Sequence, residues 1–178
     1  MKVLYIDLNR CIYCRACEVA CEREHGGVSR IFVTLLDWTQ PVPVSCRHCE
    51  KHPCVEACPV DAIEVTDEGA VLIHTNDCIS CGLCAIACAF GVIELDRVGK
   101  IADKCDLCAH RLAEGKQPAC VLTCPTRCLQ YGELDDVMAQ ARDKPGLTFV
   151  SAVGDTGTVV TMPERPARDT AEATTGSD

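Results

Sequence analysis

Aromatic side chains are scarce in this chain, at 4% of 178 residues, and Trp38 is its one tryptophan. Few large rings are on hand to build a core, and a chain so poor in them relies on covalent or metal crosslinks. Positive charge is short as well: 17 Lys and Arg stand against 26 Asp and Glu, a formal net charge of −9. That argues against nucleic acid as the main partner, because its binding rests on cationic contacts to phosphate. Docking to basic protein surfaces suits the sign, with plain solubility as the simpler account. No long apolar run, small-residue cleavage site or twin arginine lies in "MKVLYIDLNRC", so no secretory signal is visible there. The longest weakly polar stretch, Cys78 to Leu95, is interrupted by Gly82 and Gly91 and is not expected to span a membrane. The expected setting is a reducing cytoplasm, where thiols favour metal over disulfide.

What the chain has in excess is cysteine, 17 in all. They fall into four groups and a remainder: Cys11, Cys14, Cys17 and Cys21; Cys46, Cys49, Cys54 and Cys58; Cys78, Cys81, Cys84 and Cys88; Cys105, Cys108, Cys120 and Cys124; then Cys128. Each group opens with C-x-x-C and closes with C-x-x-x-C, which is an internal repeat. The flanks repeat too. Ile63, Ile93 and Leu129 stand five residues past a closing cysteine, and Ala62, Val92 and Cys128 stand four past it. Cys128 therefore occupies a position held elsewhere by small apolar residues. It is expected to be a buried side chain and not a ligand.

These flanks read as short strands, and each C-x-x-x-C fits one helical turn with both cysteines on one face. "VTDEGAVLIH" reads as a hairpin turning at Asp67, Glu68 and Gly69. Residues 22–45 form an insert with strand-like "RIFVTLL" and Trp38, read either as a local packing patch or as a partner-docking surface. "DDVMAQAR" at 135–142 reads as a helix, "LTFVSAV" and "TVVTM" as strands, and 163–178 as a polar tail, disordered alone and ordered only against another protein.

The spacing asks for iron and sulfide. A cubane of four irons needs four thiolates, three of which a tight loop supplies; in two-cluster ferredoxins the fourth cysteine of each run serves the other cluster. Zinc sites use pairs of cysteines and ask for no third at x2 and fourth at x3. The radical-enzyme spacing C-x-x-x-C-x-x-C is nowhere in the chain. No nucleophile, triad or substrate pocket is evident, so no catalytic residues are assigned.

With Cys-x-x-Cys-x4-Cys-x3-Cys-Pro at 46–59, and Arg111, Gly115 and Pro118 between Cys108 and Cys120, residues 1–134 resemble the four-cluster ferredoxin-type subunits of multi-subunit oxidoreductases. These accompany molybdenum or tungsten enzymes (formate dehydrogenases, dimethyl sulfoxide reductases, aldehyde oxidoreductases), nickel-iron hydrogenases and carbon monoxide dehydrogenase. Pro59 and Pro125 follow two of the closing cysteines, while Glu22 and Ala89 depart from the pattern after Cys21 and Cys88. The resemblance implies four [4Fe-4S] clusters and pairs the first group with the fourth and the second with the third. Cluster 1 would take Cys11, Cys14, Cys17 and Cys124; cluster 2, Cys105, Cys108, Cys120 and Cys21; cluster 3, Cys46, Cys49, Cys54 and Cys88; cluster 4, Cys78, Cys81, Cys84 and Cys58. It implies an α+β fold of two ferredoxin-like dicluster halves. Residues 1–21 with 97–134 would make one half, 46–96 the half inserted in it, and 135–178 a C-terminal extension that contacts a partner or is disordered.

The function expected is electron conduction between a catalytic redox subunit and a further redox protein, with stacking of copies into a longer wire as a variant. The alternative is a free, diffusing polyferredoxin; the insert and the extension favour fixed partners. At about −2 per oxidised cluster with its thiolates, the loaded protein would carry roughly −17, which lowers potentials. Arg10, Arg15, Arg47, Lys51 and Lys104 stand close enough to the cysteines to oppose this, or are solvated surface charges. His48, His52 and His110 are read as hydrogen-bonding or surface histidines.

Overall fold

The computed structural model of the chain describes residues 2–96, 101–142, 149–151 and 158–162. The fold is α+β, built of short elements. Its longest sheet is organised by β1 (Lys2–Asp7), in which every residue from Val3 to Asp7 is buried. The apolar run Val3–Ile6 within it suits a strand covered on both faces. β1 is central: β8 (Leu129–Glu133) pairs with it antiparallel, Ile6 opposite Leu129, and β10 (Thr158–Met162) pairs with it parallel on the other edge. β9 (Phe149–Ser151) lies beyond β10. The strands read in "LTFVSAV" and "TVVTM" thus extend the sheet founded on the N-terminus, whereas the tail at 163–178 lies outside the described residues.

Alternation along β1 sends its side chains to separate cores, with Leu4 packed against Ala70 and Leu107. Val3 and Tyr5 pack with Val137 of α6 (Leu134–Arg142). Ile6 packs on the opposite face with Leu8, Cys17, Cys21 and Leu129. Tyr5 and Ile6 are fully buried, and side chains of this size contribute about 1.5–3 kcal/mol each when removed from water.

The insert is a hairpin of β2 (Ile31–Leu36) and β3 (Gln40–Ser45), in register from Ile31↔Ser45 to Leu36↔Gln40. Asp37 and Trp38 turn it with positive φ, 49° and 61°. Its inner face, Ile31 and Val33, joins the core beneath β1. Two polar bonds fasten it: Glu18 Oε1 accepts the Val33 N–H at 2.6 Å, and Gln40 Nε2 donates to the Leu8 carbonyl at 2.8 Å. The outer face is open, with Phe32, Leu35 and Leu36 exposed and Trp38 91% exposed at the tip. The packing-patch reading therefore holds for Ile31 and Val33 but not for Trp38, which the turn carries beyond reach of the core.

In the middle of the chain β4 (Ile63–Val65) and β5 (Val71–Ile73) form the hairpin expected there, and β6 (Glu94–Asp96) pairs with β7 (Ile101–Asp103). The closing C-x-x-x-C steps lie on short helices: Cys17 and Cys21 in α1 (Ala16–Glu24), Cys54 in α2 (Pro53–Glu56), Cys84 in α3 (Leu83–Ala87) and Cys120 in α5 (Ala119–Thr123). Cys88 and Cys124 cap α3 and α5 at their C-termini. α1 packs on α5 and α2 on α3, while α4 (Ala109–Ala113) follows Cys108. No helix among the described residues is long and apolar enough to cross a membrane.

Candidate metal centres

The cysteine loops share a backbone feature invisible in composition. The residue before the second cysteine of each group has positive φ: Tyr13, His48, Ser80 and Leu107, between 45° and 59°. Three residues past the closing cysteine, Asp61, Gly91 and Arg127 do the same. A left-handed conformation costs a non-glycine residue on the order of 1 kcal/mol and persists where the surroundings enforce it. Here it turns backbone N–H groups toward sulfur, as successive amides do in an anion-binding nest. The His48 and Leu107 amides lie 3.4 Å from the sulfurs of Cys46 and Cys105. The Ala62 amide is 3.3 Å from Cys58 Sγ and that of Arg30 is 3.2 Å from Cys21 Sγ. Such donors favour a sulfur that carries negative charge.

The fold gathers the cysteines across groups. A cavity is lined by Cys58, Cys78, Cys81 and Cys84, with Ile63 and Ile73 in its wall. A second is lined by Cys21, Cys105, Cys108 and Cys120, with His25 beside them. Cys17 interacts electrostatically with Cys124 and Cys11, and Cys49 with Cys46 and Cys88. Cys54 faces Cys46. Neighbouring gatherings also touch: Cys120 interacts with Cys17, and Cys105 with Cys46. Cys14 and Cys81 are the solvent-exposed cysteines.

Burial dominates the ionisation of these thiols. It pushes Cys17 up to about 12, helped by the charge of Glu18, and Cys108 up to about 11, helped by Asp106. Cys105 and Cys120 are likewise pushed well above the usual thiol range by the same desolvation. Cys124 goes the other way, to about 5, chiefly through a hydrogen bond with the Cys128 thiol. Soft thiols collected in fours and removed from water do not ionise together unless cations sit among them. That donor chemistry suits iron-sulfur clusters, whose ligands are thiolates.

Charged and polar side chains surround the sulfurs. Lys104, which could have been a solvated surface charge, is 4% exposed. Its ammonium donates to the Val71 carbonyl and, at 3.0 Å, to that of Cys105. His48 is buried and neutral, its pKa held well below the usual range by burial and then by the Lys104 charge. Its Nδ1 accepts the Val71 N–H at 3.0 Å. Arg47 reaches over Phe90, 5.5 Å from the ring centroid. Arg15 is paired with Glu18 at 2.8 Å, Arg10 lies 3.7 Å from Asp7, and exposed His110 meets Glu24 at 2.7 Å.

Two residues escaped the sequence reading. Arg30 donates to Asp103 at 3.0 Å and to Asp106 at 2.8 Å. The same guanidinium lies 3.1 Å from His25 Nδ1, which must accept, so the imidazole proton is assigned to Nε2. That nitrogen is 3.7 Å from Cys108 Sγ and 3.6 Å from Asp106 Oδ1. His25, Asp106 and Cys108 could by themselves hold a metal ion, but Cys108 already lines the second cavity, so the three belong to that site. The available signal was helical spacing: His25 stands four residues past Cys21, one turn along α1.

Paired strands and helices carrying cysteine loops, with sulfurs collected in fours from distant parts of the chain, define a multi-cluster iron-sulfur protein. A sequence profile of the 4Fe-4S dicluster domain matches residues 37–134, more than half of the chain, and the chain belongs to that family. Among its relatives is the thiosulfate reductase electron transfer subunit PhsB of Salmonella typhi, 42% identical over 147 residues, covering 75% of this chain and 77% of the relative. The formate dehydrogenase iron-sulfur subunit of Wolinella succinogenes is 34% identical over 170 residues, 79% of this chain and 85% of its own. The B subunit of the anaerobic dimethyl sulfoxide reductase of Escherichia coli is 31% identical over 157 residues, covering 78% of this chain and 77% of the relative.

Proposed function

We propose that this chain is a non-catalytic electron-transfer subunit that holds four [4Fe-4S] clusters in a row and links a catalytic oxidoreductase subunit to a further redox partner. The observation that carries the reading is the gathering of cysteines across groups, seen most directly in the two cavities lined by four cysteines each. The ligand sets are those expected from the sequence: Cys11, Cys14, Cys17 and Cys124; Cys105, Cys108, Cys120 and Cys21; Cys46, Cys49, Cys54 and Cys88; Cys78, Cys81, Cys84 and Cys58. Each cluster, when bound, supplies one-electron exchange between two oxidation states with little ligand motion.

The chain's own contribution is position and field. Contacts between sets run from Cys17 to Cys120 and from Cys105 to Cys46, which supports the order one, two, three, four. The exposed cysteines, Cys14 and Cys81, belong to the first and fourth sets, and this supports entry and exit at the two ends. Relatives named as subunits of thiosulfate reductase, formate dehydrogenase and dimethyl sulfoxide reductase support a molybdenum or tungsten enzyme as the catalytic partner, with hydrogenase and carbon monoxide dehydrogenase as the other candidates. We place the working complex in the cytoplasm.

The open outer face of the β2–β3 hairpin, with Trp38 at its tip, favours fixed docking over a freely diffusing polyferredoxin. Stacking of copies into a longer wire remains the variant reading, and the number of copies per catalytic subunit in the purified complex decides it. Iron and sulfide analysis of the anaerobically purified chain tests the main proposal: about sixteen of each per chain are expected, and stoichiometric zinc without sulfide would overturn it.

A further inference from the structure

We infer that the site of Cys46, Cys49, Cys54 and Cys88 is the highest-potential site of the row, set apart by Arg47, His48 and Lys104. The inference rests on the four-site reading above and concerns what distinguishes one site from its neighbours.

Unpartnered polar atoms are concentrated at this site. Among the described residues, the buried side-chain atoms without a hydrogen-bond partner are Ser45 Oγ, Arg47 Nη1, His48 Nε2, His52 Nε2 and Tyr131 Oη. Three of the five, on Arg47, His48 and His52, lie in the loop carrying Cys46 and Cys49, while Ser45 lines the second cavity. Leaving a buried donor unpaired is costly, so such a concentration points to an acceptor that completes it. Arg47 can only donate. His48 has its Nδ1 occupied by the Val71 N–H, which assigns its proton to the orphaned Nε2. Thiolate and sulfide are acceptors, and these donors meet their need.

Charge tells the same story. Arg47 interacts with Cys46 and Cys49. Lys104 is buried with two backbone carbonyls as its hydrogen-bond partners and pairs with no carboxylate among the described residues. A buried cation is costly without a counter-charge. The groups it faces are the sulfurs of Cys54 and Cys105, so the anionic sites supply the missing charge.

The other sets are less favoured. Beside Cys17 stands Glu18, and Arg15 is spent on that carboxylate. Around the second set, Arg30 is answered by both Asp103 and Asp106. For the fourth set the cavity wall is apolar, and the influences on Cys84 are burial, backbone amides and its sister cysteines. An electron added at the third set therefore meets two positive charges that no carboxylate among the described residues pairs with.

Potentiometric titration of the anaerobically purified full chain, followed by electron paramagnetic resonance, tests this. Cys49→Ser should abolish or displace the signal with the highest midpoint. Arg47→Gln should lower that midpoint alone, cutting its reduced fraction at fixed poise by at least about tenfold, equivalent to 59 mV for one electron. Arg47→Lys should restore most of it. If Arg47→Gln fails to assemble, Lys104→Met should lower the same midpoint together with one other. Loss of a lower-midpoint signal in Cys49→Ser overturns the inference, as do unshifted midpoints in the Arg47 and Lys104 variants. Iron and sulfide counts on the unaltered chain separate the two levels: fewer than four clusters overturns the reading beneath the inference.

Discussion

The thiols of Cys124 and Cys128 share a hydrogen bond, and it lowers the pKa of one while raising that of the other. Cys128 is 2% exposed, packed with Ile6, Leu8 and Leu129. Its thiol, kept protonated by that bond and by burial, is the donor, and Cys124 is the acceptor. Cys128→Ala should therefore keep the full iron content while removing a weak S–H donor from the first set. One midpoint should fall and the other three stay. Cys128→Ser should keep both iron and midpoint. Loss of a quarter of the iron in Cys128→Ala would make Cys128 a ligand.

The alternating sets have a signature in double variants. Cys49→Ser and Cys88→Ser act on one proposed set, so combining them should remove about a quarter of the iron, no more than either alone. Cys49→Ser with Cys58→Ser touches two sets and should remove about half. Sets confined to one cysteine group would reverse these results, and iron analysis of anaerobically prepared protein distinguishes the cases.

Glu18 joins a helix to the insert through the Val33 amide. Glu18→Ala leaves that buried N–H without an acceptor and should destabilise the fold by about 1–3 kcal/mol. Glu18→Gln keeps an acceptor oxygen and loses only the ion pair with half-exposed Arg15, a change of roughly 1 kcal/mol or less. Denaturant titration under anaerobic conditions measures both.

Trp38 gives a contrast between stability and association. Being 91% exposed, it should be replaceable by alanine within about 0.5 kcal/mol of the original stability. If the hairpin docks a partner, the same substitution should weaken co-purification of the catalytic subunit. Unchanged co-purification would turn attention to another surface.

Much of the fold was legible because the cysteine repeat imposes it. Helices over the C-x-x-x-C steps, flanking strands and the hairpin through Gly69 all follow from spacing and turn chemistry. β3 was not legible. Pro41 and Pro43 argue against a strand, and they are tolerated because, among the described residues, β3 pairs only with β2 and leaves its other edge free of ladder bonds. The left-handed residues were hidden for a related reason: Tyr13, His48, Leu107 and Arg127 are not glycine, and only the enclosing loop makes such a φ tolerable. The burial of Lys104 and the ion pairs of Arg30 were not legible, since packing against a distant segment leaves no mark on local sequence. The placement of β10 beside β1 is likewise a long-range pairing that neither segment announces.

The pairing of β1 with β8, Lys2 opposite Glu133, sets a clock on biogenesis. The first strand made must wait for nearly the last of the cysteine-bearing chain, on the order of ten seconds of synthesis, before it gains its neighbour. The hairpin between residues 63 and 73 and the helices α2 and α3 need no such wait. The interior of the chain can therefore fold while the ends are still apart, and the segment around Cys11 to Cys21 waits longest for the strand and helix that pack against it.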